Sequence, residues 1–78
     1  MIKNSNYTMY INPTVVANAT EVLEKYVQNN PDTKLPLFEV AKNEPEQSRA
    51  AYVRAAQRLK WNVTRTRGHV YENGYFLW

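Results

Sequence analysis

The sequence predicts an α+β fold in which three helices precede a C-terminal β-hairpin. Three observations carry that prediction. Apolar residues recur at helical spacing from Val15 to Leu59, and after Trp61 the period changes to two. Prolines stand at Pro13, Pro36 and Pro45, where helix starts are expected, because a proline in the first turn removes only an amide that has no helical partner. Asn73-Gly74 supplies a two-residue hairpin turn between apolar runs. Seventy-eight residues make one domain, 1–78, close to the lower limit for a chain that stabilises itself by burial alone.

Taken in order, residues 1–11 end in an alternation of Tyr7, Met9 and Ile11 against Thr8 and Tyr10, which predicts a short strand or an extended arm. A strand there is placed to pair with the hairpin as its third strand. Asn12 is the N-cap candidate of the first helix, with Pro13 behind it. Its apolar stripe is Val15, Val16, Ala19, Val22, Leu23, Tyr26 and Val27, and Asn29-Asn30-Pro31-Asp32 ends it. Leu35-Pro36 starts a second, shorter helix buried through Leu37, Phe38, Val40 and Ala41. Asn43 and Glu46 have the spacing of a capping box before a third helix, about 45–60. On that helix Tyr52, Ala56 and Leu59 face the core with Val53 at the margin, while Gln47, Ala51, Arg54 and Arg58 face outward.

The hairpin occupies about 61–78. Asn62 to Arg67 is rich in β-branched residues and reads as a strand. Strict alternation sets Arg65 and Arg67 on the face of Trp61 and Val63, which ought to be buried. Either the strand runs out beyond the core edge before Arg65, or Thr64 and Thr66 take the inner side, with Gly68 as a bulge that restores the alternation. Tyr71, Tyr75, Phe76 and Trp78 are rings of the kind that stack on unpaired bases in single-strand binders, but they and Trp61 are read as core, since a chain this small gains buried area from its rings.

Charge is unevenly placed. Residues 1–46 hold four lysines against six carboxylates, whereas residues 47–78 hold Lys60 and all five arginines against Glu72 alone. The net charge of +3 therefore conceals an acidic first part and a strongly basic second part. Arginine offers a planar fork of donors that suits phosphate oxygens and guanine edges, and a basic helix followed by a basic strand is the footprint of a nucleic-acid binder. Arg54 and Arg58 lie four residues apart and repel each other unless an anion lies between them or a carboxylate such as Glu46 pairs with one.

Three helices followed by a hairpin, with the segment from Glu46-Gln47-Ser48-Arg49 through Arg58-Leu59-Lys60-Trp61 as third helix and Asn62 through Trp78 as wing, resemble the winged helix-turn-helix DNA-binding superfamily, of the size of small phage or mobile-element regulators. The resemblance implies a third helix in the major groove, a wing along the backbone or minor groove, and a small transcriptional or recombination regulator. It implies Gln47, Arg54 and Arg58 as base contacts, with Ser48 and Arg49 at the helix entry meeting phosphate. Lys60, Arg65, Arg67 and His69 complete the double-stranded DNA interface. A homodimer on a two-fold site fits such a domain, with the outer side of the first helix and the N-terminal arm as contacts. The rival reading is a protein-interaction module, a phage factor binding a host protein, in which Glu21, Glu24, Asp32, Glu39 and the aromatic hairpin matter more.

Other classes are disfavoured. There is no cysteine, His69 is the lone histidine, and Gly68 and Gly74 are the only glycines, so no catalytic residues, metal or cofactor are expected and the chain is not read as an enzyme. No apolar run is long enough to span a membrane and Met1-Ile2-Lys3-Asn4 opens no signal peptide, so a cytoplasmic location is expected.

Overall fold

In a computed structural model the structure describes residues 12–78, and the expected N-terminal strand or arm lies outside them. Three helices, α1 (Pro13–Asn29), α2 (Pro36–Ala41) and α3 (Glu46–Arg58), precede three strands, β1 (Val63–Thr66), β2 (His69–Glu72) and β3 (Tyr75–Phe76). The strands form an antiparallel meander in the order β1-β2-β3. The expected α+β class with a C-terminal hairpin is found. The closing strand expected after the Asn73-Gly74 turn is found as β3, which pairs with β2 through Tyr71↔Phe76 and Glu72↔Tyr75.

α1 begins as expected: the Asn12 side chain accepts a hydrogen bond from the Thr14 amide at 2.8 Å, and Pro13 follows. It ends at Asn30, whose amide donates to Tyr26 O and Val27 O. The buried stripe is narrower than the sequence pattern. Val16, Ala19 and Leu23 are buried and Tyr26 and Val27 half-buried, but Val15 and Val22 are exposed, because among the described residues the stripe packs mainly on the α2–α3 pair. α2 buries Leu37 and Ala41 fully and Phe38 and Val40 in part.

The capping box does not form. Pro45 is itself the N-cap of α3 and makes no side-chain cap bond, so Asn43 falls two residues outside the cap, in a turn closed by the Glu44 amide on Ala41 O (3.0 Å). α3 is the central element, in contact with α1, α2 and β1. That position explains a second difference. Ala51, expected to face outward with the arginines, is only 2% exposed, and Ala55 and Ala56 join it and Val53 in the core. Small side chains let neighbours approach α3 on more than one side. Tyr52 and Leu59 are half-buried against this core.

α3 closes in a Schellman motif. The Trp61 amide donates to Ala56 O and the Lys60 amide to Gln57 O, both at 3.1 Å, with Lys60 in the left-handed region at φ 67°. The chain then reverses into β1, which runs back beside α3. Both strand connections are two-residue turns with positive φ at each central residue, Arg67-Gly68 (55° and 82°) and Asn73-Gly74 (54° and 85°), as a type I′ turn requires. Gly68 is therefore a turn residue and not a bulge. Beyond β3 the chain stays paired, with Leu77 N donating to Val70 O and Val70 N to Trp78 O.

Candidate nucleic-acid interface

The register Val63↔Glu72, Thr64↔Tyr71, Arg65↔Val70 and Thr66↔His69 sorts the sheet into two faces. Val63, Val70 and Glu72 are buried on the inner face beneath the helices, and Thr64, Thr66, His69, Tyr71 and Phe76 share the outer one. Along β1 only Val63 is buried, so the strand leaves the core before Arg65. This resolves the alternation conflict in favour of the first alternative. Arg65 keeps the parity of Val63 but sits past the core edge, and Arg67 occupies the turn itself. Both are exposed.

Gln47, Arg54 and Arg58 are exposed on α3. Spacings of seven and four place them on one side of the helix. The single salt bridge among the described residues joins Lys42 to Glu39 at 3.1 Å, and no carboxylate pairs with Arg54 or Arg58. Lys60 is exposed immediately after the helix, and His69 is exposed on the outer sheet face, its ring 5.5 Å from that of Phe76.

Ser48 and Arg49 are half-buried in the first turn of α3. The Arg49 Nη1 donates to Glu44 O at 3.1 Å, its guanidinium carbon lies 5.1 Å from the centre of the Trp78 ring, and its Nε is buried without a partner. Arg49 thus ties the turn before α3 to the C-terminal aromatic. A cleft of about 60 Å³ between α3 and the arm formed by the β1–β2 hairpin brings Arg49 and Arg65 together with Glu46, Val53 and Gly68. It does not include Arg54 or Arg58, so the nine expected contacts divide into an outward helix side and an arm. Arg49 is turned inward between them.

Sequence reasoning missed two features. The first is Glu72, 2% exposed, whose carboxylate oxygens accept from Leu37 N (2.9 Å) and Phe38 N (3.1 Å). The hairpin thereby caps α2, whose own N-cap position, Leu35, has no side chain able to do so. Asn73 adds a bond from its Nδ2 to Lys34 O at 2.8 Å. Burial pushes the Glu72 carboxyl up from its ordinary value, and the two amide bonds oppose that rise. The signal was present: Glu72 shares strand parity with Val70, and Leu35-Pro36 opens a helix with no cap.

The second is the exposure of two aromatics expected in the core. Tyr75 is 61% and Phe76 59% exposed, since β3 is a two-residue edge strand and Phe76 pairs with Tyr71 on the outer face. Tyr71 is half-buried. Trp61 and Trp78 are half-buried and pack against the core, Trp78 beside Phe38 at 6.0 Å. Burial and the nearby Glu44 raise the Tyr52 hydroxyl above its ordinary value.

No group of three metal-ligating side chains occurs among the described residues, and no helix there is long and apolar enough to cross a membrane. No protein-family model, curated protein or solved structure matches the chain.

Proposed function

We propose that the chain binds double-stranded DNA in the manner of a winged helix, with α3 in the major groove and the β1–β2 arm against the backbone, as a small transcriptional or recombination regulator. The observation that carries this reading is where the backbone accepts strain. Among the described residues, two of the three non-glycine residues with positive φ are the cations Lys60 and Arg67, at positions where glycine or asparagine costs less. Lys60 follows the C-cap of α3 and Arg67 forms the turn between β1 and β2, both after the unpaired Arg54 and Arg58 in sequence. Arg54 and Arg58 suit guanine edges and Gln47 suits adenine, while Lys60, Arg65 and Arg67 suit phosphates.

Fluorescence anisotropy with random duplex DNA tests the reading. About three phosphate contacts predict an affinity that falls roughly 40-fold between about 50 and 200 mM salt. Absence of binding at the low-salt end, or binding indifferent to salt, would overturn it. Sites selected from a random pool then report base preference and, through half-site spacing, whether the chain binds as a pair.

A further inference from the structure

We propose that the outer face of the sheet is a second nucleic-acid surface, a platform on which an unpaired base stacks against Phe76. The face is built from Thr64, Thr66, His69, Tyr71 and Phe76 and nothing among the described residues covers it. Phe76 is its centre: the His69 ring lies 5.5 Å away, tilted by 53°, and the Tyr71 ring 5.7 Å away, edge-on at 73°. Three rings from two strands are thus grouped, His69 and Phe76 exposed and Tyr71 half-buried, where burial in the core would have been more favourable for a phenylalanine. Neighbours hold the Phe76 ring in orientation, as a stacking platform requires.

Charge and size select the occupant. The turn between β1 and β2 carries Arg67, and the one carboxylate of these strands, Glu72, is buried on the opposite face and engaged by two amides. A polyanion meets no repulsion there. The face spans three strands of at most four residues, on the order of 10 by 13 Å at ordinary strand spacings. A stable protein interface takes about 800 Å² from each partner, several times that footprint, whereas one or two bases fill it. Stacking tolerates any base and needs unpaired ones, because only a base out of the duplex exposes its flat face. The proposal goes beyond duplex binding, and its stacking residues Phe76 and Tyr71 are not among the proposed duplex contacts, so either can fail alone.

The test is anisotropy with a labelled 12-nucleotide oligothymidylate and an abasic oligonucleotide of the same length, which keeps the phosphates and lacks the bases. The full chain is expected to bind the oligothymidylate more tightly, by about five- to 150-fold for one stacked base. Phe76→Ala and Phe76→Leu are expected to remove that difference and leave duplex affinity as it was, while Phe76→Trp keeps it. Phe76 is exposed, so these variants keep the fold, which thermal unfolding verifies. Oligothymidylate binding that survives Arg54→Ala while duplex affinity falls supports a separate site. Equal affinity for the two oligonucleotides overturns the proposal, as does a Phe76→Leu variant that binds like wild type. Self-association of the chain abolished by Phe76→Ala also overturns it, by making the face an interface between copies.

Discussion

Glu72 takes a carboxylate into the interior to satisfy two amides that α2 cannot satisfy itself. Removing it leaves both donors without an acceptor, and a buried unsatisfied group costs about 1–3 kcal/mol. Glu72→Ala is therefore expected to lower unfolding stability in urea by about 2–4 kcal/mol. The pH dependence has a definite sign. Burial holds the carboxyl above its ordinary value of 4.5, so the folded chain keeps the proton to higher pH than the unfolded chain does. The contribution of Glu72 is greatest below that value and declines as pH rises through the folded pKa. Relative to Glu72→Gln, which cannot ionise there, wild type should lose stability from about pH 4.5 upward. A wild-type advantage that grows with pH would show the anion to be the preferred form, and the desolvation argument would fall. Arg49 poses a related contrast, since its aromatic and carbonyl contacts tie down the entry of α3.

Among the elements, the two ends of β1 are where local preference and observed backbone disagree. Lys60 and Arg67 hold positive φ, which costs an ordinary side chain about 1–2 kcal/mol. Lys60→Gly and Arg67→Asn are each expected to stabilise the chain by about 0.5–1 kcal/mol, raising Tm by a few degrees, and to weaken duplex binding. Variants that gain stability and keep full affinity would separate these positions from function. The same residues explain what the sequence showed and hid. The helix starts at Pro13 and Pro36 were legible because proline and Asn12 act locally. The Asn73-Gly74 turn was legible because both residues favour its backbone. Arg67-Gly68 was not, since arginine gives no local sign of a left-handed turn, and Gly68 alone read as a bulge. Ala51, Glu72 and Phe76 were hidden for a different reason. Their burial depends on what packs across from them, and period alone cannot tell a helix covered on several sides from one covered on a single stripe. The outward set Gln47, Arg54 and Arg58 survived because polar and charged side chains stay exposed unless paired.

At the scale of the whole molecule, charge is uneven along the chain, with Glu21 and Glu24 on α1 and the cations gathered between Arg49 and Arg67, and in the proposed mode that asymmetry favours the approach of the second half to a polyanion. Orientation alone gives no sequence preference, so helix and arm should differ in what their loss does. Arg67 meets only phosphate in the proposed mode. Arg67→Ala should weaken every duplex by the same factor and reduce the slope of log affinity against log salt by about 0.9, one contact's share. Arg54 meets a base edge, so Arg54→Ala should cost about 1–3 kcal/mol at a selected site and much less on random DNA, with preference lost at one base position. Titrating both variants against a selected and a scrambled duplex at several salt concentrations separates the two roles. Uniform losses for both would reduce α3 to a basic surface, and base preference would then have to come from the shape of the DNA or from another part of the chain.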